Sequence, residues 1–138
     1  MIEAPRFTIN RSLVLLRHTQ TFLGWIKGVD TDPTLTLEVL NDDSEAFLIP
    51  GDTVILNETD ALRWVEAHWS VLFDHMLNEW VTDEETWPKK RSLKMFRQWF
   101  TIEYHSMVWD LDKTQFEVED WSDDNNTEDD DDTDVVVH

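Results

Sequence analysis

His68, His75, Glu79, Glu103 and His105 are the side chains of this 138-residue chain whose types and spacing offer chemistry. On a helix, His75 and Glu79 stand one turn apart and His68 two turns from His75, a spacing that offers a divalent cation several donors. The run lacks the second histidine at one-turn distance that an HExxH zinc site needs, and Trp64 and Val71 on the same flank mark a packing boundary. Glu103 and His105 share one face of an expected strand, near Asp110 and Asp112, and a carboxylate beside an imidazole is the material of acid–base catalysis. That chemistry needs convergent geometry and perturbed pKa values, and ordinary strand polarity accounts for the pair equally well. Ser12, Ser70, Ser92 and Ser106 have no nucleophile-elbow setting, and three glycines leave no phosphate-cradling loop or dinucleotide fingerprint. No metal or cofactor is expected. The residues favour a non-catalytic protein, with a small enzyme or metal-binding protein as the alternative.

A second group of residues offers electrostatic chemistry. Lys89, Lys90, Arg91, Lys94 and Arg97 hold five of the eleven bases, whereas residues 117–134 carry eleven acids and no base. At about 100° per residue, Lys90, Arg91, Lys94 and Arg97 fall in one sector of an expected helix, with Leu93, Phe96 and Phe100 turned to the core. They form either a partner-binding basic stripe or a plain solvated face. Of the formal charge of −19, −11 lies in the acidic end and −8 on residues 1–116. Binding DNA or RNA non-specifically rests on counterion release by Lys and Arg, which a field of this sign opposes. Direct nucleic-acid binding is therefore disfavoured and a basic protein partner is favoured. The acidic end has three readings: a solubilising terminus, a ligand for a basic partner, or an internal competitor that shields the basic stripe. A narrower reading is nucleic-acid mimicry, with carboxylates standing in for phosphates.

The scaffold that must position these groups can be read from periodicity. Residues 12–17 form a compact apolar run suited to a central strand covered on both faces. Thr19 or Thr21 can cap a short helix carrying Phe22, Leu23, Trp25 and Ile26, which Gly28 ends, and residues 30–33 read as a turn. A second short helix starts near Thr34 or Thr36 and uses Leu35, Leu37, Val39 and Leu40. Residues 46–49 follow as a strand stopped by Pro50 and Gly51. Leu62, Val65, Trp69, Leu72, Phe73, Met76 and Trp80 recur at three- and four-residue steps and predict one amphipathic helix over residues 59–80, capped by Asn57 or Thr59. A helix resumes over 89–100, and residues 102–111 read as a third strand, extended by Phe116 and Val118. The order β-α-α-β-α-α-β predicts a single small α+β domain over residues 1–118, with some parallel strand pairing. Residues 119–138 are expected to form a disordered acidic tail, because so polar a segment cannot bury enough apolar surface to offset its ordering entropy.

Eight tryptophans and seven phenylalanines supply large rigid hydrophobes for a core and for a binding face. The absence of cysteine excludes disulfides, thiol catalysis and thiolate metal sites. The opening residues do not lead into a long apolar run, and residues 13–16 are too few to span a bilayer, so a cytoplasmic protein with no membrane partner is expected. Asn10-Arg11-Ser12 opening the first strand, the Trp87-Pro88 turn, Met95-Phe96-Arg97-Gln98-Trp99-Phe100 and His105-Ser106-Met107-Val108 resemble a family of small acidic bacterial proteins with no assigned activity. The resemblance spans about residues 10–111. It implies a bacterial, cytoplasmic, single-domain protein and carries no catalytic residue across.

Overall fold

The computed structural model describes residues 7–29, 34–42 and 44–121. The protein is α+β, with five α-helices and two small sheets among the described residues. The described residues fall into two compact units, one within residues 8–108 and one of residue 7 with residues 109–121.

The larger unit is built on β2 (Arg11–His18), the middle strand of a sheet ordered β3-β2-β4 with β3 (Glu45–Pro50) and β4 (Phe100–His105). The central strand expected over residues 12–17 is thus present. Both pairings are antiparallel, with Val14 opposite Phe47 on one side and Tyr104 on the other. No parallel pair forms in this sheet, because β3 and β4, which run the same way, lie on opposite sides of β2: β3 begins opposite Leu16 and ends opposite Arg11, and the helices that follow carry the chain back to start β4 opposite His18. Along β2, Ser12, Val14, Leu16 and His18 are buried while Leu13, Leu15 and Arg17 are half-buried. The strand expected to be covered on both faces is therefore one-sided, and its period-2 burial turns Val14 and Leu16 into the core.

Local chemistry explains where the helices start. Before α2 (Leu37–Asn41), Thr36 Oγ1 accepts the Val39 N–H at 3.2 Å. Asn57 Oδ1 accepts the Asp60 N–H at 2.9 Å at the start of α3 (Glu58–Ala67), while the Asp60 carboxylate accepts the Leu56 N–H at 2.9 Å. Helix α1 (Gln20–Val29) follows Thr19 and buries Phe22, Leu23 and Ile26, running one residue beyond Gly28.

The single helix expected over residues 59–80 is two helices, α3 and α4 (Trp69–Asn78), separated at His68. The cause is side-chain competition for one carbonyl. His68 Nδ1 lies 2.8 Å from the Trp64 carbonyl oxygen, the acceptor an unbroken helix would give to the His68 N–H. That N–H donates to the Val65 carbonyl instead, at 3.0 Å. The imidazole also stacks on the Trp64 indole at 3.9 Å, which holds it in place. On either side of the break, Ala61 and Val65 of α3 and Phe73, Met76 and Leu77 of α4 reach one core.

After a short 3₁₀ turn at Glu84–Thr86, α5 (Leu93–Trp99) leads directly into β4. The aromatic content is used chiefly here. Phe73 meets Phe96, Trp99 and Phe100 at ring separations of 5.9, 5.4 and 5.5 Å, and Phe22 meets Trp25, Trp99 and Phe100 at 5.5, 5.7 and 5.5 Å. Gly51, just after β3, answers a close backbone approach: a Cβ there would stand 2.8 Å from both the carbonyl carbon and oxygen of Asn10. Gly51→Ala is expected to cost about 1–3 kcal/mol through this forced displacement, seen in urea titrations as a lower midpoint with an unchanged slope.

The strand expected over residues 102–111 stops at His105. Trp109–Asp110 forms β5 instead, in a two-stranded sheet with β1 (Phe7–Thr8), and Phe116 and Val118 are exposed and belong to no strand. Asp110 Oδ1 accepts the Asp112 N–H at 3.0 Å, and Asp112 Oδ1 accepts the Thr114 N–H at 3.2 Å; such Asx turns curl the chain out of extension. The turn expected at residues 30–33 lies outside the described residues. So does the tail expected over 119–138, apart from residues 119–121, which are exposed. Among the described residues no helix is long and apolar enough to cross a membrane.

Candidate functional site

The five side chains that offered metal or acid–base chemistry are distributed over separate places. His68 is engaged at the α3–α4 break. His75 leaves its helix neighbour Glu79 and pairs with Glu45 of β3, Nε2 to Oε1 at 2.9 Å, beside the Phe47 ring at 5.5 Å. Glu103 and His105 do meet, at 2.7 Å, with Arg17 4.0 Å from Glu103, but they lie exposed on the sheet face opposite the core. Among the described residues, no three His, Asp or Glu side chains gather as a metal ion would require.

The basic stripe is also rearranged. Helix α5 begins at Leu93, because Ser92 takes the Met95 N–H on its side chain at 3.1 Å with an extended backbone. Lys90 and Arg91 therefore precede the helix, and only Lys94 and Arg97 of the four lie on it. Arg91 is clamped into the fold: its guanidinium donates to Asp74 of α4 at 2.8 Å and to the Pro88 carbonyl at 2.9 Å, 5.5 Å from the Trp87 ring centroid. Arg97 holds Glu66 of α3 through two bonds of 2.8 and 2.7 Å, and this pairing keeps the Glu66 carboxyl below its usual pKa. Lys90 and Lys94 are exposed.

The residue with the most distinctive surroundings is one that periodicity passed over. His18 ends β2 on the buried parity of Ser12, Val14 and Leu16, and is 5% exposed. Asn41, at the end of α2, reads its backbone twice: the His18 N–H donates to Asn41 Oδ1 at 2.7 Å, and Asn41 Nδ2 donates to the His18 carbonyl at 3.1 Å. These two bonds fix which end of the Asn41 amide is oxygen. The same Oδ1 lies 3.1 Å from His18 Nδ1, so in the neutral ring Nδ1 carries the proton and Nε2 the lone pair. Nε2 is buried, and it is the one buried side-chain nitrogen or oxygen without a hydrogen-bond partner among the described residues.

His18 is one of the residues lining a pocket of ≈ 230 Å³ at the meeting of β2, α2, β3 and α4. Glu45, Glu79 and Trp80 share the lining, and Trp80 stands edge-on to the imidazole at 5.9 Å. Phe22 covers His18 at 4.5 Å. The polar side chains of the lining are two carboxylates, of which Glu45 also holds His75, and the imidazole of His18, whose unpaired Nε2 is shut off from solvent.

Burial pushes the His18 pKa below its ordinary value of 6.5, against the opposing influence of the Asn41 bond, the Glu45 charge and the nearby Leu40 backbone carbonyl. A depressed folded-state pKa means that the unfolded chain takes up the proton first. The stability associated with neutral His18 is complete above about pH 6.5 and is lost as pH falls below it, until the folded form is protonated as well. Urea midpoints should therefore drop between about pH 7.5 and 5.5 in the natural chain and change less in His18→Phe. An equal drop in both would assign the effect to other groups.

The sequence signal for this site was the alternation Ser12, Val14, Leu16, His18, which carries a histidine onto the core face. Its partners come from three other elements and leave no local pattern. No protein-family model, curated protein or solved structure matches this chain.

Proposed function

We propose that this chain is a non-catalytic, cytoplasmic binding or regulatory protein for a basic protein partner, of the small acidic bacterial kind it resembles. The observation that carries this reading is the fate of its positive charge. Arg91 and Arg97 are ion-paired to Asp74 and Glu66 within the fold, in a chain of net charge −19. Arg97 ties α5 to α3 and Arg91 ties the segment before α5 to α4, and Lys90 and Lys94 are what the basic stripe retains for a partner. A field of this sign attracts basic surfaces and accelerates their encounter. Exposed Leu56, Val71 and Trp121 supply apolar area that such an encounter can bury.

The test is capture from native-cell extract with the full chain and with a chain lacking residues 119–138, followed by titration of each purified captured protein. The expected captured proteins are basic, and raising salt from about 50 to 300 mM weakens their affinity by tenfold or more. Retention of binding without residues 119–138 assigns the interaction to the folded body and admits the mimicry reading, which further requires competition by a DNA fragment. Salt-independent affinity, or captured proteins that are predominantly acidic, would overturn the proposal.

A further inference from the structure

We infer that the pocket formed by β2, α2, β3 and α4 binds a primary alkylammonium group. Three observations on independent elements converge on that ligand. First, His18 Nε2 is a buried acceptor that lacks a donor, and the Asn41 bonds leave it no other role in the neutral ring. A buried polar atom left unpaired costs stability, and a ligand that donates to it recovers that cost. Second, Glu45 and Glu79 add carboxylates to the same lining while no Lys or Arg among the described residues contributes to it. An anion is repelled there and a cationic donor is attracted. Third, Trp80 supplies an aromatic surface to a cation, and Val39 and Met76 supply apolar wall to an aliphatic stem.

The number of donors selects among cations. A primary ammonium carries three N–H groups, which the acceptors of the lining can share: the carboxylate of Glu79, that of Glu45, which also holds His75, and His18 Nε2 once the side chains over it part. A quaternary ammonium has none. A bare metal ion needs its ligands drawn within about 2–2.6 Å, and no three His, Asp or Glu side chains stand so among the described residues, whereas an ammonium is held at about 2.7–2.9 Å and by as few as one carboxylate. The ammonium can belong to a small free amine or to a lysine side chain of the basic partner. The lysine source deepens the function proposed above and rests on it; the pocket chemistry does not.

The experiment uses the full chain, labelled with ¹⁵N and titrated with n-butylammonium chloride to about 10 mM. Sodium chloride and n-butyltrimethylammonium chloride at matched ionic strength are the controls. The expected result is a saturable shift of the His18 Nε2 and Trp80 indole resonances with butylammonium alone. Glu79→Gln and Trp80→Leu, both at exposed positions, should each weaken binding about tenfold. Should Trp80→Leu fold poorly, Glu79→Gln still decides the matter. A shift no larger than that with sodium chloride, or an equal response to the trimethyl compound, overturns the proposal. Binding of a lysine peptide more tightly than butylammonium assigns the site to a protein ligand, and equal binding assigns it to a free amine. Silence toward butylammonium alongside salt-sensitive capture of basic proteins would remove the pocket proposal and leave the acidic-module reading in place; the converse would remove only the latter.

Discussion

Phe73→Ala is expected to lower the unfolding free energy by about 3–5 kcal/mol. The ring is fully buried on α4 and touches aromatic groups from three neighbouring places: Trp69 on its own helix, Phe96 and Trp99 on α5, and Phe100 at the start of β4. The Arg91 guanidinium lies 6.0 Å from its centroid, so the ring also supports the ion pair that ties the segment before α5 to α4. Removing it opens a cavity that rigid neighbours cannot fill, and a domain of this size has only about 5–15 kcal/mol in total. Val71→Ala is the matched control, two residues away on the same helix but 70% exposed, and should change stability by less than about 0.5 kcal/mol. Urea unfolding followed by far-ultraviolet circular dichroism distinguishes the two. Equal effects at the two positions would contradict the placement of α4.

Asn41→Ala is the second large effect, expected at about 2–4 kcal/mol. Its amide satisfies both the N–H and the carbonyl of His18 and meets Nδ1 as well, so alanine leaves these part-buried groups unpaired at once. Asn41→Asp separates the contributions. A carboxylate still accepts from the backbone N–H and from Nδ1 but no longer donates to the His18 carbonyl, and its charge favours the imidazolium. That variant should lose part of the stability near neutral pH and raise the His18 pKa, so that its loss on acidification is smaller than in the natural chain. Titration of the His18 ring carbon protons together with urea midpoints measures both. Loss in Asn41→Asp as large as in Asn41→Ala, with an unmoved His18, would show that Asn41 acts only through packing.

Much of the scaffold was legible because it is set by neighbours in the chain. The run through Val14 and Leu16 marks the central strand, Thr36 and Asn57 mark helix starts, and Pro50 with Gly51 marks a strand end. Each of these depends on residues within one turn or one strand. The misreadings arise where a side chain competes with the backbone or answers a distant partner. His68 takes the Trp64 carbonyl and divides a helix whose hydrophobic period looked continuous. Ser92 starts α5 later than the run of bases suggests, which removes Lys90 and Arg91 from the helix face. The partners of Arg91 and Arg97 lie 17 and 31 residues away, and Asn41 lies 23 residues from His18. Nothing in local spacing encodes those meetings. They follow from the antiparallel register of β2 with β3 and β4, which brings the end of β2 beside the start of both neighbours.

Long-range ¹H–¹⁵N correlation of the histidine rings in the full chain, near pH 7, tests most directly the claim on which the candidate site depends. For His18, the expected spectrum has a protonated Nδ1 and an unprotonated Nε2 at the position of a bare imidazole acceptor. A protonated Nε2, either as the other neutral tautomer or as imidazolium, would contradict the acceptor-lined pocket and the ligand inferred from it.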